Sequence, residues 1–307
     1  MENLQFDLSA DTYYLIDTSY VMYFIANSAF NEYAYSNDIR SSEFGPDFDP
    51  TIDQEYCIVL KEMFYERIEN LIKKLVPFRY DKTKYVFSLD CPRAEIWRRD
   101  LYPEYKSNRD MRDRSKDKFN QSKVFNYMKN VIVKSFCEEN GSISIDSACA
   151  ESDDIIAVLT RRLTNAGKYV IIVSSDRDMV QLCNDHVVLT TLSEEVRNPK
   201  RELLKLTKTK EIDEDITPGD FLLFKIILGD PSDSIPSIKR GVGPKTALKI
   251  ILDKSKKQLK NLMKEDNIIL ESFKRNKALI AMSEIPSEIT SSIIEKYDNI
   301  ISEQRNA

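Results

Sequence analysis

The sequence predicts an α/β fold with a mostly parallel central sheet, and three observations predict it. Short β-branched or aromatic runs end at an acid, with TYYLID closing on Asp17, KYVFSLD on Asp90 and KYVIIVSSD on Asp176. Helical patterns lie between and after them, such as Ile155, Val158, Leu159 and Leu163 in DDIIAVLTRRL. From Pro218 onward the chain reads as all-helical. Strand and helix alternation of this kind makes parallel sheets, whose strand carboxyl ends share one edge where ligands bind. Three carboxylates are therefore expected to meet there.

The division expected is an α/β core over 1–200, containing a charge-dense segment at about 92–134, and a helical region over 201–307. Residues from Asn27 to Pro50 show little periodicity and several turn formers, and they read as an inserted loop. A length of 307 residues with 42% apolar content suffices for a real interior. No stretch approaches the roughly 20 apolar residues of a membrane span, and the start lacks a basic region followed by an apolar run. Five scattered cysteines without CxxC spacing suggest neither disulfides nor a zinc ribbon, so a reducing, cytoplasmic setting fits. With a single histidine, His186, catalysis has to rest on carboxylates.

Nine acids are candidates for one cluster: Asp17, Asp90, Glu151, Asp153 and Asp154 in ESDD, Asp176 and Asp178 in SSDRD, and Asp230 and Asp233 in GDPSD. Magnesium takes oxygen ligands, and two ions about 4 Å apart activate water and stabilise a leaving oxygen in phosphodiester hydrolysis. Each piece has a plainer reading. Asp153 and Asp154 suit a helix N-terminus, and Asp230 and Asp233 suit a turn. Asp17 and Asp90 are harder to set aside, because an acid closing an apolar strand costs desolvation unless paired. Ser19 stands where a haloacid-dehalogenase-type phosphotransferase needs a second aspartate.

In IPSIKRGVGPKTALKI, at about 235–252, the pattern reads as helix, Gly-Val-Gly hairpin and second helix. Gly241 and Gly243 let the backbone approach a phosphate, while Lys245 and Lys249 add charge. From Arg93 to Lys118, nine basic residues face six acidic ones, with Trp97, Tyr102 and Tyr105 interleaved. Such a mixture suits a single strand, although most charge runs are only solvated helix. The net charge of −5 argues against nucleic acid until the nine acids are set aside, which leaves 41 acidic against 45 basic residues.

These motifs resemble the flap endonuclease and 5′ nuclease superfamily of phage enzymes and bacterial DNA polymerase I. Asp17 in LIDTS resembles its first-strand aspartate and Asp90 its second. ESDD resembles its E-A-D-D helix, SSDRD its S-D-G-D motif, GDPSD its G-D-x-x-D and PEYKSNRD its basic motif, while IWRRD is closer to phage RNase H. The resemblance runs from about Tyr13 to Leu252 and returns in AMSEIPSEITSSIIEKY. It implies a Rossmann-like, PIN-like core beneath a helical arch, with 5′ flap cleavage and 5′ to 3′ exonuclease removal of RNA primers or DNA.

Two Mg²⁺ ions are implied, with Mn²⁺ as substitute and K⁺ at the hairpin. One ion falls to Asp17, Asp90, Glu151, Asp153 and Asp176, the other to Asp176, Asp178, Asp230 and Asp233. Lys106 and Arg109 are expected on the scissile phosphate as catalytic groups, Tyr105 stacked near the 5′ end, and Arg98 and Arg99 on nucleic acid. Ser152 and Arg177 depart from the family's Ala and Gly, and Arg177 is expected beside the metals. The partners implied are DNA and RNA–DNA hybrid with 5′ ends or flaps, and a single-strand-binding protein. A monomer is expected, in the host cytoplasm if phage-encoded. A PIN-type ribonuclease and a non-catalytic junction-binding protein are the competing readings.

Overall fold

The computed structural model describes residues 11–39, 44–75, 85–193, 195–253 and 255–306. Five strands, β1 (Thr12–Asp17), β2 (Tyr85–Ser88), β3 (Ile143–Ile145), β4 (Tyr169–Val173) and β5 (Val187–Thr190), form one sheet ordered β3-β2-β1-β4-β5. Every pairing is parallel, as the near-continuous apolar runs require. The order reverses beside β1, so Asp17 leaves the sheet at the crevice where doubly wound folds bind ligands.

Alternation along the strands divides the core. Tyr14, Ile16, Phe87, Ile171 and Val173 point to one face, under the helices Thr18–Ser36 and Gln54–Leu75 and the helical stretch from Gln121 to Asn140. Leu15, Val86, Ile145, Val170 and Ile172 point to the other, under the helix Ser152–Asn165 and the C-terminal helices. Among the described residues no helix is long and apolar enough to cross a membrane.

Three expectations are corrected. The helix Thr18–Ser36 runs through Asn27–Ser36, read above as loop, because Ala29, Phe30 and Tyr33 continue the buried face of Ile25 and Ala26. Phe44 and Phe48 then pack edge-on against Phe30. The extent of helix within the arch segment of about 92–134 is the second. From Pro92 to Asn120, before longer helix begins at Gln121, the chain makes only a turn at Arg93–Glu95 and the four-residue helices Arg98–Leu101 and Ser107–Asp110. The rest is loop, tied down by buried Phe119 against Phe30 and by Asn120 N–H donating to Phe48 O at 2.7 Å. The third is the first helix of the hairpin, which is Pro218–Leu228 and not IPSIKR. Gly229 ends that helix, Pro231–Asp233 makes a single 3-10 turn, and Pro236 keeps the stretch IPSIKR out of helix.

Candidate active site

At the carboxyl edge of the sheet a cleft of about 580 Å³ is lined by Asp17, Asp90, Glu151, Asp153, Asp176, Asp230 and Asp233, together with Lys106, Arg109 and Lys225. Asp17 caps the helix Thr18–Ser36 by accepting Tyr20 N–H at 3.2 Å, and Ser174 Oγ donates to its other oxygen at 2.7 Å. Asp90 accepts Ser152 N–H at 2.8 Å and the Ser19 hydroxyl. Asp176 opens the turn Arg177–Leu182 by accepting Asp178 N–H at 2.8 Å.

ESDD forms the start of the helix Ser152–Asn165, with Glu151 N–H donating to Asp154 Oδ2 at 3.0 Å. Glu151, Asp153 and Asp154 bring carboxylate oxygens within 4.8 Å of one another. Asp154 is fully buried, and Arg98 grips it bidentately at 2.9 and 2.8 Å while Trp97 Nε1 donates at 3.0 Å. Its oxygens hold the site's frame, and it remains one of the three acids whose ligand atoms lie together at this helix start.

Two assignments change around it. Arg98, 2% exposed, also donates to Glu151 at 3.0 Å and to Leu279 O at 2.9 Å, so it faces carboxylates and not nucleic acid. Tyr105 is equally buried, with its hydroxyl donating to Glu151 at 2.9 Å, and cannot stack on a terminal base. Arg99 pairs with Asp110 at 2.6 Å.

Lys106 donates from Nζ to Glu151, and its backbone N–H reaches Asp233 O at 2.9 Å. Arg109, half exposed, pairs with Asp233 at 2.6 Å. Asn108 donates to Pro231 O and Ser232 O, both at 3.0 Å, locking the basic turn to the acid loop. Lys225 joins Asp178 at 2.9 Å to Asp230 at 2.6 Å. Asp233 therefore shares Lys106 and Tyr105 with Glu151, and the resident cations do not follow the division of ligands expected from sequence.

Lys225 and Ser174 escaped the sequence reading, and Ser19 was noticed only as the residue that excludes a phosphotransferase site and not as a partner of Asp90. A lone cation inside FLLFKIIL and hydroxyls flanking strand-end acids were the available signals. Arg177 is turned to Glu202 at 2.9 Å.

Burial, then Asp90, pushes Asp17 up to about 6. Asp178 rises to about 7 through burial and its acidic neighbours, against the pull of Lys225. Asp153 stands well above the usual carboxylate range, from burial and then Glu151, and its Oδ1 has no hydrogen-bond partner. Burial opposes ionisation of Glu151 too, but Lys106 and Arg98 outweigh it and hold this carboxyl low. Acids forced together in this way, one with an orphaned buried oxygen, fit hard divalent cations.

Downstream of the acid loop, Gly241 adopts φ +86°, and Gly243 precedes the helix Pro244–Leu252 with no side-chain cap. Lys245 and Lys249 are exposed there, beside the helix start expected to receive phosphate.

The model of the 5′-3′ exonuclease N-terminal resolvase-like domain matches residues 58–215, half of the chain. The chain belongs to this family. A 5′-3′ exonuclease of Buchnera aphidicola is 30% identical over 181 residues, which is 59% of this chain and 55% of that protein. DNA polymerase I of Streptococcus pneumoniae is 30% identical over 158 residues, 51% of this chain and 16% of the polymerase. The chain thus spans about half the length of the first relative and a small part of the second. Among solved structures, the T5 5′-exonuclease with bound zinc superposes with TM-score 0.61 at 17% identity, covering 94% of this chain and 99% of that one. The bacteriophage T5 flap endonuclease, in a pseudo-enzyme–product complex with DNA and metal ions, gives 0.59 at 16% identity, covering 94% and 98%. These likenesses establish the shared fold.

Proposed function

We propose that the chain is a divalent-metal-dependent 5′ nuclease, acting as a 5′ to 3′ exonuclease and a flap endonuclease on DNA and RNA–DNA substrates. The observation that carries this reading is the convergence of acids from β1, β2, β4 and the Asp230–Asp233 loop on one cleft, faced by Lys106 and Arg109, in a member of the 5′-3′ exonuclease family. Primer and flap removal in replication is the corresponding role. The protein works as a cytoplasmic monomer, with a single-strand-binding protein as a further partner.

Asp17, Asp90, Glu151, Asp153, Asp154, Asp176, Asp178, Asp230 and Asp233 would hold the ions, Mg²⁺ with Mn²⁺ as substitute, Asp154 from beneath through its place beside Glu151 and Asp153. When bound, they supply Lewis acidity that activates water and stabilises the leaving oxygen. Lys106 and Arg109, now turned to Glu151 and Asp233, would donate to the phosphate oxygens as charge builds on them. Arg98 keeps Glu151 and Asp154 in place throughout. The amides at Gly241 to Lys245, with Lys249, would hold the duplex backbone without reading sequence, and K⁺ would sit at that hairpin.

A 5′-labelled flap and a nicked RNA–DNA hybrid are both expected to be cut with Mg²⁺. Asp153→Asn or Asp176→Asn abolishes cleavage and retains binding. Full activity in both variants sinks the two-ion assignment. Cleavage of unstructured RNA alone favours the PIN-type reading, and binding without any cleavage favours the junction-binding one.

A further inference from the structure

Asn276, on the helix Asn267–Ile280, is fully buried and lies outside the acidic cleft. Both donors of its amide are spent on main-chain carbonyls, Ile226 O at 2.9 Å and Pro236 O at 2.8 Å. Its Oδ1 accepts from Arg275 Nε and Nη2 at 3.1 and 2.9 Å. The Arg275 guanidinium in turn lies over the Tyr102 ring, 5.3 Å from its centroid.

The positions of the two carbonyls give these bonds their meaning. Ile226 stands in the last turn of the helix Pro218–Leu228, where its carbonyl loses the usual partner because Asp230 N–H turns to Ile235 O. Pro236 opens the segment that runs to the Gly241–Gly243 hairpin. Gly229 lies so close to it that an added Cβ would stand 2.5 Å from the Pro236 carbonyl. Between Ile226 and Pro236 the chain makes the excursion that carries Asp230 and Asp233. Main-chain bonds join Asp230 to Ile235 in both directions at 2.8 Å and Ile238 N–H to Ile227 O at 3.1 Å. The Asn276 amide adds a side-chain staple from a third element across the same entry and exit, and the exit continues directly into the hairpin.

We propose that Asn276 is a positioning residue that fixes the hairpin relative to the Asp230–Asp233 loop and so determines which phosphodiester is cut. This deepens, and rests on, the 5′ nuclease reading. The hairpin grips one part of the duplex while the acids act on another, so the spacing between grip and acids decides which phosphate is presented. Releasing the staple leaves the grip and the bonds within the acid loop intact but loosens the exit toward the hairpin relative to the acids, and a misplacement of about 1 Å costs on the order of 100-fold in rate.

The test uses the full chain with Mg²⁺ and a 5′-labelled flap, and reads kcat, KM and the lengths of the products. For Asn276→Ala the expected result is a kcat lower by about 10- to 100-fold, KM within about threefold of wild type, and new products one nucleotide to either side of the main cut. Arg275→Met leaves both donations in place and frees only the amide's orientation, so it shifts the product ladder the same way to a smaller extent. A merely structural role lowers the active fraction and leaves product lengths alone. An unchanged ladder in Asn276→Ala overturns the inference, as does an unchanged ladder in Arg275→Met should Asn276→Ala fail to fold. Wild-type protein that cuts no flap overturns the functional reading and this inference with it.

Discussion

The two walls of the cleft are built differently. On one, the acids meet cations supplied by the chain: Arg98 and Lys106 at Glu151, Arg98 at Asp154, Arg109 at Asp233, and Lys225 at Asp178 and Asp230. On the other, among the described residues, Asp17 and Asp90 meet hydroxyls and amide groups, from Ser174, Ser19, Ser152 and Tyr20. On the first wall the cations hold Glu151 and Asp230 low despite burial but do not fully offset burial at Asp178, which still rises to about 7, or at Asp233, which also rises. On the second, Asp17 is pushed up to about 6 by burial and then by Asp90. Asp153 stands between the walls, its nearest approach to Arg98 being 3.9 Å. Built-in cations hold the first wall as structure, and the second wall is where positive charge has to come from outside.

Removing a cation from the first wall tests this most severely. Arg98→Met leaves Asp154 buried without its ion-pair partner, with Trp97 Nε1 still donating to its side chain, and leaves Glu151 to Lys106 and Tyr105; breaking a buried pair of this kind costs about 3–5 kcal/mol. The urea midpoint is expected to fall accordingly, with saturating Mg²⁺ restoring only part of it, because Asp154 lies beneath the cleft. A wild-type midpoint would mean that Arg98 is not what holds this wall.

The acids whose burial is not offset, Asp17 on the second wall and Asp178 on the first, are tested by pH. An acid whose folded pKa exceeds its unfolded value binds more protons when folded, so raising pH between the two values removes stability. For Asp17 that interval runs from 3.8 to about 6, and for Asp178 from 3.8 to about 7. Glu151 and Asp230 work in reverse, but their contribution is lost only as pH falls through the ordinary carboxylate range and below it. In EDTA the protein is therefore expected to lose thermal stability from pH 5 to pH 7, and in Mg²⁺ to gain it. Asp17→Asn flattens the metal-free slope and stabilises the metal-free protein at pH 7 by about 1–3 kcal/mol, while abolishing cleavage. A metal-free melting temperature that rises over this window contradicts the account.

The second wall was the more legible in sequence. An acid closing an apolar strand has few places to go, so Asp17, Asp90 and Asp176 announced one edge of a parallel sheet. The first wall was not, because a run such as IWRRDLYPEYK reads the same whether its cations face solvent or carboxylates. Arg98 is decided by Asp154 and Leu279, 56 and 181 residues away. The helix from Asn27 to Ser36 was obscured by polar residues around Ala29, Phe30 and Tyr33, although these three continue the buried stripe. Nothing local to Asn276 distinguishes it, since its partners lie 50 and 40 residues upstream.

The smallest effects lie among the hydroxyls, and they separate those that tune Asp17 from those that merely fill space. Ser174 Oγ donates to Asp17 at 2.7 Å and also accepts Asp176 N–H at 3.0 Å. A hydrogen bond to a charged group contributes about 1.5–3 kcal/mol, so Ser174→Ala is expected to raise the half-saturating Mg²⁺ concentration about tenfold. Ser152 Oγ lies 3.5 Å from Asp17 and bonds chiefly to Ser88, which keeps its own bond to Ile16 O at 2.8 Å when Ser152 is changed. The group on Ser152 that holds Asp90 is its backbone N–H, which Ser152→Ala preserves. Titrating cleavage against Mg²⁺ should therefore place Ser152→Ala within about twofold of wild type, the effect expected of a change that leaves both carboxylates' main partners in place. Equal shifts in the two variants would show that proximity to the acids, and not donation to Asp17, governs this wall.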